Sequence, residues 1–307
     1  MRSFDALLRV LLVALFVTAA PAPLVAQVTA VPDAVRRGFL FEVSKDAQRA
    51  LLFGTLHVGQ PGWFPLPTQQ QAALERATVL ALEADPANAP GALQAVQRYG
   101  LFPTGSAGLD SQLSEGERRR VQTLLEREGL APAAAWRMKP WLLATTLALG
   151  AATAQGLAPA QASESQLAAW ARTRGLKVLE LEGTEAQLRL LDSAPAEVQR
   201  EILLETVAGV ETGAAAAEVA RIALAWSSGD WNALTALLAQ MEAEGGAGAR
   251  FTVDVVIAGR HAAMIAALEE LMRAGGEPLV AVGALHLPGP RGLVAQLRER
   301  GYLVRAL

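Results

Sequence analysis

The 307-residue chain contains no cysteine. That excludes disulfides, thiolate metal sites, a cysteine nucleophile and a lipid-bearing N-terminal cysteine. Any metal would be held by imidazole, carboxylate, carbonyl or water. Histidine is nearly as scarce, with three in the whole chain, and aromatic residues make up 5%. The only notable basic tract is Arg118-Arg119-Arg120, which reads as the solvated face of a helix. With a net charge of −3, this argues against nucleic acid as a partner. No G-x-S-x-G elbow occurs either, which argues against a serine hydrolase of that type.

What is present is apolar. Hydrophobic residues are 52% of the chain, enough for a substantial core. Arg2 and Arg9 accompany a short apolar stretch, Leu11 to Ala20, followed by small residues. The stretch is too short to span a bilayer, so residues 1–26 are expected to be a signal peptide cleaved after Ala26 or Ala30. Residues 27–307 are then expected to form a single secreted or periplasmic domain with no stable membrane span.

Along that region, apolar runs with strand character occur at "GFLFEV", "ALLFGTLH", "TVLALEADP", "LKVLELEG", "EPLVAVGALH" and "YLVRAL". Between them the period is helical. "LSEGERRRVQTLLEREG" opens with Ser114 and Glu117 in capping-box spacing and closes at Gly129. Thr68 and Ser163 are expected to be N-caps of further helices. "MKPWLLATTLALGAATAQG" reads as a buried helix, and "VDVVIAGRHAAMIAALEELMRAGG" as one helix or two with a break near Gly259. The expected fold is α/β: a central mixed sheet with helices on its faces and an Ala-rich helical insertion.

Two of the three histidines sit in near-copies, "GTLH" ending at His57 and "GALH" ending at His286. Two other strands end on carboxylates, Glu83 and Glu182. Ligands of open α/β sheets bind at the C-terminal strand edge, and two imidazoles with two carboxylates there suit a divalent ion. The glycine three residues before each histidine is expected to allow a sharp turn or a ligand's close approach to the backbone. Each residue has a plainer reading as well. A strand-end carboxylate often pairs with an arginine or caps a helix, and a histidine such as His261 is often an ordinary helix residue.

The paired G-x-x-H motifs, "LALEADP", "MKPWL", "LELEGTEAQ" and above all "VAVGALHLPGPRGLVAQLRERGYLV" resemble the TraB/GumN family. That family is grouped with TIKI metalloproteases, erythromycin esterases and ChaN-like haem-binding proteins. The resemblance implies that His57 and His286 are the motif histidines and that Glu83 is an essential acid. Arg260 matches the arginine of a recurrent Arg-Asn pair, in which His261 here replaces the asparagine. Glu182 matches a further recurrent acid. The implied function is an exported, metal-dependent, peptidase-like hydrolase acting on a peptide or small molecule. Its metal would be Zn, Mn or Co, held by His57, His286, Glu83 and Glu182. The catalytic set would be His57, Glu83, Arg260 and His286, with a carboxylate as general base and Arg260 stabilising the oxyanion or bridging a site carboxylate. The alternative is a non-catalytic haem- or metal-binding protein of the periplasm.

Overall fold

The six expected strands all form, and they join into one mixed sheet of order β4-β3-β5-β2-β1-β6. The computed structural model describes residues 37–307; the expected signal peptide lies outside the described residues. The strands are β1 (Phe39–Lys45), β2 (Gln48–Thr55), β3 (Val79–Leu82), β4 (Lys177–Glu180), β5 (Pro278–Gly283) and β6 (Leu303–Ala306). β1 and β2 form a hairpin across the turn at Asp46, a non-glycine residue at φ 53°. β2, β5, β3 and β4 run parallel to one another, while β6 pairs antiparallel with β1.

Burial follows the sequence pattern. β5 is buried at every position and β2 from Ala50 onward, as expected of strands covered on both faces. Each fully buried Leu, Val or Phe contributes about 1.5–3 kcal/mol, so Leu51, Phe53, Leu80 and Val282 hold the centre of the core. β4 and β6 are edge strands and only partly buried.

Most helices connect these strands. Ser114 and Glu117 make the reciprocal capping box at the start of Glu115–Arg127. The apolar segment forms a helix over Pro140–Ala154, buried along most of its length. The N-cap assignments of Thr68 and Ser163 need correction: Pro67 and Ala162 occupy the cap positions, and neither cap residue makes a side-chain cap bond. Ser163 is instead tied to the loop after β2.

The long apolar segment before β5 changes character at the expected place. A short α-helix, Ala247–Arg250, passes into π-helix over Phe251–Ile257 and a 3-10 turn over Ala258–Arg260, and α-helix resumes at His261–Ala274. The change of pitch brings consecutive residues Arg260 and His261 into the interior, and π-helical turns often mark functional sites. The whole run, Ala247–Ala274, is long and apolar enough to cross a membrane. In the fold it is a core element, with Met264, Ile265, Leu268 and Met272 packed in the main hydrophobic cluster.

Candidate active site at the strand ends

Parallel neighbours end side by side, so the register fixes what meets. Thr55 of β2 pairs with Gly283 of β5, and Leu82 of β3 pairs with Ala281 of β5 and Glu180 of β4. The residues that follow, His57, His286, Glu83 and Glu182, therefore emerge at one edge, on strands about 4.8 Å apart.

The two glycines have a different use from the expected turn. Neither Gly54 nor Gly283 takes a positive φ. A Cβ on Gly54 would lie 2.7 Å from Leu287 Cδ1 and 3.2 Å from Ala284 Cα. The first motif thus packs directly on the second, and only a missing side chain permits it. A Cβ on Gly283 would lie 3.4 Å from Glu83 Oε1. The second motif lies in van der Waals contact with the β3 carboxylate, and the Gly283 N–H donates to that same oxygen (2.5 Å).

At the centre is Arg260, 8% exposed. Its Nε donates to both oxygens of Glu182 (3.0 and 3.1 Å), and Nη2 is ion-paired with Glu83 and Glu182. Nη1 reaches Val256 O (3.4 Å) and His286 Nε2 (3.2 Å). All five guanidinium protons are engaged. Glu83 also accepts from Gln187 Nε2 (2.8 Å). Burial alone would raise the Glu83 pKa, but the Arg260 charge and the Gly283 N–H hold it far below the usual carboxylate range. The same carboxylates hold Arg260 firmly protonated against its own burial.

The three imidazoles differ. His286 is 2% exposed, and burial with the Arg260 charge lowers its pKa to about 3. Its Nδ1 faces His261 Nε2 at 3.1 Å, and His261 Nδ1 faces the Arg291 carbonyl at 2.8 Å. Burial lowers the pKa of His261 too. His57 is the partly open one, with 19% of its side chain exposed. Its Nδ1 is ion-paired with Glu164, and despite burial this pair lifts its pKa to about 9. His57 also lies within electrostatic reach of Glu83, Arg260 and His286. Its Nε2 has no partner among the described residues.

Glu164 escaped the sequence reading, and Ser163 was expected only as a helix cap. They begin the helix Ser163–Thr173 and tie it to the strand end. Leu56 N–H donates to Ser163 Oγ (2.7 Å), Ser163 N–H donates to Leu56 O (3.1 Å), and Ser163 Oγ lies 3.1 Å from Glu164 Oε2. The available signal was an acid in the first turn of a helix, which is common on any surface. A cavity of about 420 Å³ adjoins the cluster, lined by Asn88, Gln94, Arg98, Glu180, Glu182 and Thr184 among others.

The arrangement brings together every residue that the sequence singled out, yet it does not fit a divalent cation. The Glu83 and Glu182 oxygens are bonded to Arg260, Gln187 and Gly283, both nitrogens of His286 are engaged, and a guanidinium sits between the carboxylates. Among the described residues no group of three or more His, Asp and Glu side chains is disposed to hold a metal. The site instead offers a cation buried between two anions, with one imidazole nitrogen left over. The plainer reading of Arg260, a bridge between site carboxylates, is the one the geometry carries.

Comparison with known proteins identifies the family. The chain is 28% identical over 144 residues to the uncharacterized protein YbaP of Escherichia coli (strain K12) and, at the same level, to YbaP of Shigella flexneri. The match takes in 47% of this chain and 52% of theirs, so it spans about half the length of these curated relatives. No solved structure matches. A family model described as TraB/PrgY/gumN matches residues 39–306, from the first residue of β1 to the last of β6, and the chain belongs to that family.

Proposed function

We propose that the protein is an exported hydrolase in which His57, oriented by Glu164, activates the attacking water. The observation that carries this is the contrast among the imidazoles. His286 and His261 are bonded through both nitrogens. His57 is bonded through Nδ1 alone and is open to solvent. An imidazole oriented by a carboxylate at one nitrogen and free at the other is the arrangement of a general base. Because the pair lifts the His57 pKa to about 9, only its neutral form accepts the proton, and turnover should rise with pH toward 9. Water takes the place of a side-chain nucleophile, because no cysteine is present and no serine elbow exists.

The Glu83–Arg260–Glu182 cluster acts as a rigid electrostatic support rather than as the base. Glu83 is held ionised and its oxygens are already hydrogen-bonded, which makes it a weak proton acceptor. Arg260 has no proton to spare for an oxyanion. Since the residues do not fit a metal, no step is assigned to one. The substrate class that goes with this chemistry is a peptide, or a small ester or amide.

The test is turnover of a mixed peptide and ester panel by the purified chain, its His57→Ala variant and its Glu164→Gln variant. The expected result is hydrolysis that survives a chelator and falls by about 10²–10⁴-fold in His57→Ala. Turnover abolished by the chelator would return the metal to the mechanism. Activity unchanged in His57→Ala would remove that residue from the chemistry. A Soret band on addition of haemin, without turnover, would favour the binding reading.

A further inference from the structure

We infer that His261 is a positioning residue, which fixes the tautomer of His286 and, through it, the orientation of Arg260. The argument rests on donors and acceptors whose roles are not adjustable. Arginine only donates, so the Arg260 Nη1 proton pointing at His286 Nε2 (3.2 Å) requires a lone pair on that nitrogen. The neutral His286 ring then carries its proton on Nδ1. That proton needs an acceptor in a place without solvent, and His261 Nε2 is 3.1 Å away.

For His261 Nε2 to accept, its own proton must sit on Nδ1. There it meets the Arg291 carbonyl at 2.8 Å, and a carbonyl only accepts. Gln296 Nε2 lies 3.2 Å from the same nitrogen and donates to the Arg291 carbonyl (2.6 Å). Reversing the chain would place an N–H of His286 against an N–H of Arg260. Only one proton arrangement therefore satisfies both ends, and a donor at one end is wired to an acceptor at the other through two rings. The rings meet edge to face, with centroids 5.2 Å apart.

An asparagine at position 261 behaves differently. A carboxamide overlays the Nδ1 side of an imidazole and can present either oxygen or NH₂. It can keep the contact to the Arg291 carbonyl, but it does not dictate which His286 nitrogen is protonated. Histidine at this position removes that ambiguity. Arg260 then finds a fixed acceptor at Nη1, while its other protons hold Glu83 and Glu182. The chain thus ties the Gly/Pro loop after β5 to the carboxylates at the ends of β3 and β4.

The experiment is long-range ¹H–¹⁵N correlation NMR of the histidine-labelled protein at neutral pH. The three histidines are assigned with His57→Gln, His261→Phe and His261→Gln variants. The wild type should show His286 with a protonated Nδ1 and a bare Nε2. His261→Gln, whose amide overlays Nε2 but can present either oxygen or NH₂ there, should loosen this preference, and less completely than His261→Phe. His261→Phe should convert His286 to a mixture of tautomers or to the opposite one, with the His57 signals unmoved. Overturning results are a wild-type His286 protonated on Nε2, or a His286 pattern identical in wild type and His261→Phe. If His261→Phe fails to fold, the wild-type spectrum and His261→Gln still decide. The inference rests on the hydrolase reading only for its use in catalysis. The tautomer is read without any substrate, so a missing activity and a missing tautomer are separate outcomes.

Discussion

The stability of the protein should peak near pH 6.5 and decline on the alkaline side because of one residue, His57. Paired with Glu164, it has a folded-state pKa of about 9 against an ordinary value of 6.5. Its folded pKa is the higher one, so its contribution is fully present below pH 6.5 and is lost as the pH rises through 9. At about 1.4 kcal/mol per pH unit, the gap corresponds to a ceiling of about 3 kcal/mol. The acid side carries the opposite sign. His286 is held neutral with a pKa near 3, so unfolding lets it take up a proton below pH 6.5. Glu83, held ionised by Arg260, adds to the loss as the pH falls below the ordinary carboxylate range. The assay is a series of urea unfolding curves from pH 5 to 9.5 for the wild type and His57→Gln. With a slope of about 3 kcal/mol per molar urea, the wild-type midpoint should fall by about 1 M between pH 6.5 and 9. His57→Gln should remove most of that limb and leave the acid limb in place. Identical alkaline limbs in the two proteins would refute the pairing of His57 with Glu164.

Two further substitutions probe the cluster and the motif contact. Arg260→Met leaves the Glu83 and Glu182 carboxylates buried without their counter-ion, and should cost about 3–5 kcal/mol in denaturant unfolding; adding Glu83→Gln should recover part of the loss. Gly54→Ala places a methyl 2.7 Å from the fully buried Leu287. It should destabilise by about 1–3 kcal/mol through overpacking, a fall of several degrees in melting temperature where Gly→Ala within a strand would otherwise stabilise.

Much of this architecture was legible in the sequence because its signals are local. The apolar runs at β2, β3 and β5 and the Ser114–Glu117 spacing state their structure within a few residues. Gly259 marked the place where the helix changes pitch. His57, Glu83, Glu182 and His286 were legible as a set, because parallel strands deliver their last residues to one edge. What the sequence did not show was how these groups divide the hydrogen bonds. Two histidines, two acids and an arginine suit a metal as well as a guanidinium clamp, and the choice depends on where the Arg260 side chain lies. The role of Glu164 depended on a contact between a helix start and a strand end more than a hundred residues apart. Ser163 looked like a cap because its neighbours are helical, while its hydroxyl in fact serves the Leu56 backbone. Close approach accounts for the two motif glycines, but the approaching groups are protein side chains, Leu287 at Gly54 and Glu83 at Gly283.

The pairing of β2 with β5 joins residues 51–55 to residues 279–283, and β1 is closed by β6 at residues 303–306. During synthesis the first hairpin therefore waits, with apolar edges unpaired, until residues 278–306 have emerged. Contacts of such long sequence separation form slowly and leave sticky intermediates exposed. Losing the final thirty residues would remove both partners at once, along with His286. The candidate site is thus assembled only once β5 is present, and a chain cut short anywhere before it would lack His286 and the strand that carries it.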